Sequence, residues 1–321
     1  MPALIGGFGK IDITTVKRYL STKPNIRTES ELGPWFGSYL AGLIEADGSI
    51  AIHNKDSNVK KYRPKFIVVF SLADKPLANK LANITNTGTV YLKKNAGYVL
   101  WQIQKIEDVI KIINMINGYM RTPKIEALHR AIRWFNEFNN CNIDCLGLDL
   151  SPIDSNAWLA GFTDGDGNFS ITLTNRKKKG NITSKRVQAF FRIELRQNYH
   201  RDESVEQGGT SYFTILNKIA TYLGVNLYSR TREQKDKVFY AFTVVSHSAA
   251  SHVKVINYFE RFPLYSSKYL AYKDWSHVVE LIRLRDGKAL TKEEISEIEK
   301  IKAQFNSKRK LFDFSHLDTI V

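Results

Sequence analysis

The sequence predicts an α+β protein of two pseudo-symmetric halves, each running αββαββα, with an antiparallel sheet in each half and the helices on one side of it. A phrase of twelve residues is written twice, YLAGLIEADGSI at 39–50 and WLAGFTDGDGNF at 158–169. Behind each copy, polar and apolar residues alternate with the period of two that marks a strand with one dry face. The length of 321 residues allows two domains at roughly 100–200 residues each.

The elements follow in order. An N-terminal extension covers 1–32, and the first half covers 33–138. Its motif helix starts at Gly33-Pro34, where glycine can cap and proline suits the first turn, and stops at Gly48. A strand from Ser49 to His53, a basic turn with Lys55, Lys61 and Arg63, and a strand from Lys65 to Leu72 come next. A helix at 76–86, strands at 88–93 and 98–103, and helices at 106–117 and 124–138 complete this half. After a linker at 139–157 the second half, 158–285, repeats the order. Its motif helix begins near the Asp154/Ser155 cap, and strands at 168–175 and 186–196 flank a loop containing Arg176 and Lys178. A helix at 211–223, strands at 226–231 and 238–245, and helices at 249–260 and 267–284 follow. Residues 286–321 form a C-terminal helix, opened by a Thr291/Glu294 capping box, and a basic tail at Lys308-Arg309-Lys310.

The second half shows its two strand faces most plainly. Asn168, Ser170, Thr172 and Thr174 share one face, as do Arg186, Gln188, Arg192, Glu194 and Arg196 on the next strand. These side chains suit base edges in a major groove, where a two-stranded ribbon fits. The 47 Lys and Arg against 32 Asp and Glu give a net charge of +15, which favours a polyanionic partner, nucleic acid above an anionic membrane. No run of 18 apolar residues marks a membrane span, so a membrane is not an expected partner. Cys141 and Cys145 are too few for a disulfide framework or a zinc site and are expected as free thiols. Candidate nucleic-acid contacts are those nine polar-face residues together with Ser49, His53, Lys55, Lys61, Arg63, Lys65, Lys93, Arg176, Lys178, Ser229, Arg230, Arg232 and Lys237.

Each motif carries two acids separated by one residue, Glu45 and Asp47 or Asp164 and Asp166. On a helix such a pair points about 200° apart, so one of each pair is expected to carry the chemistry. Asp47 and Asp166 come at the helix C-terminus, where the dipole disfavours an anion, and bringing both ends together adds repulsion that a divalent cation relieves. A hard cation needs few carboxylates beside water and phosphate oxygens. Glu45 and Asp164 are expected to bond or cap locally, although spacing alone does not choose between the acids. Ala41, Gly42, Ala160 and Gly161 allow the two motif helices close packing.

On these residues the chain resembles the LAGLIDADG homing endonucleases of the monomeric, two-motif type, over about residues 33–285. The resemblance implies a saddle of two sheets on about 20 bp of double-stranded DNA, with the motif helices packed between the halves. It assigns metal binding to Asp47 and Asp166, helped by the carbonyls of Ala46 and Gly165. It implies Mg²⁺, with Mn²⁺ able to substitute and Ca²⁺ binding without supporting cleavage. A polar residue closing the second strand is expected to order water at the phosphate; Gln197 fits in the second half, whereas the first offers Asp74. A basic residue after the fourth strand is expected to stabilise charge; Gln104 or Lys105 falls there in the first half and His247 in the second, and Lys105 is favoured. The implied reaction is metal-dependent hydrolysis of one phosphodiester per strand by a monomer. The rival activity is that of an RNA maturase acting on its own group I intron.

MPALIGGFG at 1–9 resembles a segment of mitochondrial cytochrome oxidase subunit 1, as an exon remnant read in frame would. It implies an organelle-encoded, mitochondrial protein, without an import signal, whose target is the intronless junction of that gene after the codons for Gly6-Gly7-Phe8-Gly9.

Overall fold

The computed structural model describes residues 32, 35–52, 63–178, 181–199, 210–234 and 237–320. His53, Lys55, Lys61, residues 1–9 and the helix start expected at Gly33-Pro34 lie outside them. The first half contains α1 (Phe36–Asp47), β1 (Gly48–Ala51), β2 (Lys65–Ser71), α2 (Lys75–Thr85), β3 (Thr89–Lys93), β4 (Tyr98–Ile103), α3 (Ile106–Ile116) and α4 (Ile125–Asn139). The second contains α5 (Trp158–Asp166), β5 (Gly167–Lys178), β6 (Asn181–Arg196), α6 (Phe213–Leu223), β7 (Leu227–Gln234), β8 (Lys237–Ser246), α7 (Ala249–Arg261) and α8 (Lys268–Leu284). α9 (Lys292–Ala303) belongs to the C-terminal extension. The strand orders β1-β2-β4-β3 and β5-β6-β8-β7 make two antiparallel four-stranded sheets of identical topology.

The alternation that predicted the strands also fixes their faces. Phe66, Val68, Trp101, Ile103, Phe169, Phe191 and Ile193 are buried under the helices, while Ser49, Val69, Asn168 and Arg196 are exposed on the opposite face. Two differences from expectation have simple causes. Arg176–Lys178 continue β5 instead of forming a loop, because a register shift between Arg176 and Lys177 lets pairing persist to Lys178 opposite Asn181. The second motif helix begins at Trp158 rather than at the Asp154/Ser155 cap, because Ser155 Oγ is spent on Pro152 O in a 3₁₀ turn at Ile153–Ser155.

The linker is pinned rather than loose. Arg121 donates to Asp149 at 2.6 Å and to Ser151 O at 2.8 Å, and Asp149 N bonds Met120 O at 2.8 Å. The Thr291/Glu294 capping box is present. The C-terminal extension packs on the second half through Asn306 to Phe169 O at 2.8 Å and through buried Leu317 and Ile320. Arg309 of the expected basic tail is tied to Asp274. Cys141 and Cys145 are free.

Candidate active site

The site is built by two helices in backbone contact. A Cβ added to Gly42 would stand 2.0 Å from Trp158 O, and one added to Gly161 would stand 1.9 Å from Tyr39 O. No side chain fits at either position. A Cβ on Gly165 would likewise meet Ala46 Cβ at 2.3 Å. The glycines therefore bring the C-termini of α1 and α5 side by side, and Asp47 and Asp166 arrive together at the junction of the two halves.

Electrostatics follow from that approach. Loss of hydration, then the charge of Asp47, raises Asp166 to about 6, against the lowering effects of Lys268 and Lys124. Asp47 is also raised, first by desolvation, while Lys268 and Lys124 lower it. Two carboxylates that resist simultaneous ionisation are a hard-oxygen donor set suited to a divalent cation. Among the described residues no group of three or more His, Cys, Asp or Glu assembles a metal cage. Water and phosphate oxygens would have to complete the coordination.

Lys124 and Lys268, two residues the sequence reading missed, hold equivalent places in the two halves. Lys124 Nζ donates to Ile44 O at 3.1 Å, Glu45 O at 2.6 Å, Ala46 O at 3.4 Å and Gly48 O at 2.8 Å. Lys268 Nζ donates to Thr163 O at 3.2 Å and to Gly165 O, the repeat counterparts of Ile44 and Ala46. Each ammonium thus satisfies carbonyls left open at a motif helix C-terminus and complements the dipole there. The carbonyls of Ala46 and Gly165, expected to face a metal, are the ones these lysines engage. Burial lowers both lysines, and neighbouring carboxylates raise them.

The other two acids do something different from the local bonding expected of them. Glu45 is fully buried and accepts from Arg121 N, Thr122 N and Thr122 Oγ1, the last at 2.6 Å. Asp164 accepts from Tyr265 N, Ser266 N and Ser266 Oγ, the last at 2.5 Å. Each acid therefore fixes the turn that carries its lysine. Each also bonds across the halves: Tyr39 Oη donates to Asp164 at 2.7 Å and Trp158 Nε1 to Glu45 at 2.5 Å. Burial pushes both acids up, and these donors oppose it. The signal was in the chain: Thr122-Pro123-Lys124 and Ser266-Ser267-Lys268 both lead into the last helix of their half, Lys124 as the N-cap of α4 and Lys268 as the first residue of α8.

Lys105 stands exposed at the N-cap of α3, and the cations acting on the two acids are Lys268 and Lys124. Gln197 follows β6 with its backbone N on Tyr240 O, so alternation turns it to the helix side, and its Nε2 donates to Ser229 Oγ at 2.7 Å. Ser229, paired with Phe242, shares that side and does not face outward with Arg230. Asp74 accepts from Ser71 Oγ and from Ser267 N, both at 2.6 Å, and thereby reaches from the first half to the turn of Lys268.

Of the expected nucleic-acid contacts, Asn168, Ser170, Thr172, Thr174, Arg186, Gln188, Arg192, Glu194, Arg196, Arg230, Arg232 and Lys237 fall on the outward face of the second sheet by register. Glu194 accepts from Arg230 at 3.1 Å, Arg232 at 2.7 Å and Thr243 at 3.2 Å, so it aims two guanidiniums. Ser49, Lys65 and Lys93 fall on the outward face of the first sheet. Arg63 and Arg176 are exposed, and the backbone of Lys178 ends β5.

The LAGLIDADG endonuclease family model matches residues 40–135 and 159–279. The intron-encoded DNA endonuclease aI3 of Saccharomyces cerevisiae is 41% identical over 350 residues, 99% of this chain and 81% of that protein. An uncharacterised cox1 intron-2 protein of Schizosaccharomyces pombe is 30% identical, over 90% of this chain and 78% of its own length. The intron-encoded RNA maturase bI4 of Saccharomyces cerevisiae is 24% identical, over 74% of this chain and 34% of its own length. The crystal structure of I-GzeII with its DNA target superposes with a TM-score of 0.60 at 21% identity, covering 85% of this chain and 99% of that one.

Proposed function

The chain belongs to the LAGLIDADG endonuclease family, and on that premise we propose that it is a site-specific DNA endonuclease that hydrolyses one phosphodiester on each strand at the junction of its halves. The observation carrying this reading is the meeting of Asp47 and Asp166 between Lys124 and Lys268, with Asp166 raised to about 6 mainly by burial and then by Asp47. A bound Mg²⁺, or Mn²⁺ in its place, would lower the pKa of a water and neutralise charge on the attacked phosphate. The protein's own part is positional and electrostatic. Asp47 and Asp166 would hold the cation; Lys124 and Lys268 would supply fixed positive charge where negative charge develops; Glu45 and Asp164 keep those lysines in place. The outward faces of the two sheets, with Arg192, Arg196, Lys65 and Lys93, take the duplex, which needs only one copy of this chain.

The proposed target is the intronless cytochrome oxidase subunit 1 junction encoded by residues 6–9, and the proposed setting is the mitochondrion. Incubating the protein with that junction duplex and Mg²⁺, Mn²⁺ or Ca²⁺ tests the reading. Cleavage of both strands with Mg²⁺ or Mn²⁺ is expected, and binding without cleavage with Ca²⁺; an intact duplex under all three overturns it. The similarity to bI4 favours group I intron RNA as a second ligand, and splicing of the intron transcript with and without the protein distinguishes that role.

A further inference from the structure

The two outward sheet faces are built to one plan and differ in chemistry along their second strands. Gly48 pairs with Val68 as Gly167 pairs with Ile193, so Ile67, Val69 and Ser71 of β2 occupy the places of Arg192, Glu194 and Arg196 of β6. The row continues across each sheet. In the first, Val69 lies opposite Leu100, which lies opposite Tyr91; in the second, Glu194 lies opposite Thr243, which lies opposite Tyr228. Val69 is 42% and Tyr91 39% exposed. The apolar row is open on the face where the other half places guanidiniums.

We propose that the halves read DNA by different chemistry: Val69, Leu100 and Tyr91 pack against thymine 5-methyl groups in one half-site, while Arg192, Arg196 and Arg230 donate hydrogen bonds to base edges in the other. The inference rests on the endonuclease reading. In the major groove thymine alone presents a methyl group, and cytosine and guanine present polar edges that an apolar row cannot satisfy. Charge complementarity makes a duplex the occupant of this face: Lys65 and Lys93 stand on it and suit the phosphates on either side of a groove. Continuity points the same way, since the row has the register of Glu194, Thr243 and Tyr228 on the second sheet, where Glu194 holds Arg230 and Arg232. The first half-site is therefore rich in A·T pairs, and its thymine methyls are specificity determinants.

The test begins by selecting a tightly bound duplex from a randomised pool with the full-length protein. Thymine is then replaced by deoxyuridine in one half-site at a time, which removes only the methyl group. Affinity is expected to fall about four-fold per contacted methyl in the first half-site and less than two-fold across the second. Replacing guanine by 7-deazaguanine, which removes the acceptor read by arginine, should show the reverse preference. Val69→Ser, at an exposed position, should blunt the deoxyuridine effect and leave the 7-deazaguanine effect intact. A selected duplex indifferent to the methyls, as expected if a segment of this chain covers the row, overturns the inference and leaves the nuclease reading standing. Equal sensitivity in both halves also overturns it. A protein that selects no duplex overturns both.

Discussion

Tyr39 donates its hydroxyl proton to Asp164 across the interface at 2.7 Å, and its repeat counterpart Trp158 returns the arrangement by donating to Glu45 at 2.5 Å. Each half therefore carries an acid that anchors its own lysine turn and is itself anchored by the other half. These reciprocal bonds tie together the two helices that carry Asp47 and Asp166.

Tyr39→Phe should destabilise the protein by about 1–2 kcal/mol, because a buried carboxylate loses a donor while keeping those of Tyr265 and Ser266. Chemical denaturation of both proteins at neutral pH measures it. An unchanged midpoint would mean that the bond across the halves adds nothing to folding.

Gly161→Ala should cost roughly 3–5 kcal/mol, with Gly42→Ala similar, since the added carbon lands within 2.0 Å of a backbone carbonyl. Thermal unfolding reads this out directly. Gly97→Ala offers a contrast: its Cβ would meet nothing within 4 Å, so only the cost of its left-handed backbone at φ 70° remains, about 1 kcal/mol.

The pH dependence of the metal-free protein has a definite sign. Asp166 is raised from 3.8 to about 6 on folding, so between those values the native state binds more protons than the unfolded one. Stability should fall as pH rises through that window and stay lower above it. Adding a divalent cation at pH 7 should restore it, because the cation binds only the folded pair. Denaturation midpoints at pH 4, 5, 6 and 7, with and without Ca²⁺, check both statements.

Lys124→Met and Lys268→Met should each slow cleavage by about 10²–10³-fold, with a smaller effect on DNA binding. Both lysines lower Asp47 and Asp166, so in either variant Asp166 should titrate above about 6. Carboxylate NMR of the metal-free protein follows that titration. The same experiment on Lys105→Met should show no such rise.

Most of the architecture was legible because it rests on periodicity and repetition. The doubled phrase disclosed two related halves, and the period of two disclosed dry and wet faces. Helix geometry reduced the four motif acids to one per copy, and the family resemblance chose Asp47 and Asp166, which the fold brings side by side. Lys124 and Lys268 were not legible, since they come from turns remote in sequence, and proximity to the acids arises only when Glu45 and Asp164 draw those turns in. Gln197 looked like a strand-closing residue, yet alternation past Arg196 turns it toward Ser229. Among the described strand residues of the first sheet, the expected contacts were only Ser49, Lys65 and Lys93. Its run Ile67, Val69, Leu100 shows that strand pattern fixes faces, whereas the ligand chemistry of a face depends on the residues chosen for it.

On the proposed reading Asp47 and Asp166 perform the chemistry while the sheets perform the binding. Asp166→Asn, assayed with Mg²⁺ on the junction duplex for strand cleavage and for affinity in parallel, tests it most directly. Double-strand cleavage is expected to fall by at least about 10³-fold, with affinity in Ca²⁺ held within a few-fold of the unmodified protein. A variant that still cuts both strands, or that loses binding in step with cleavage, would contradict it.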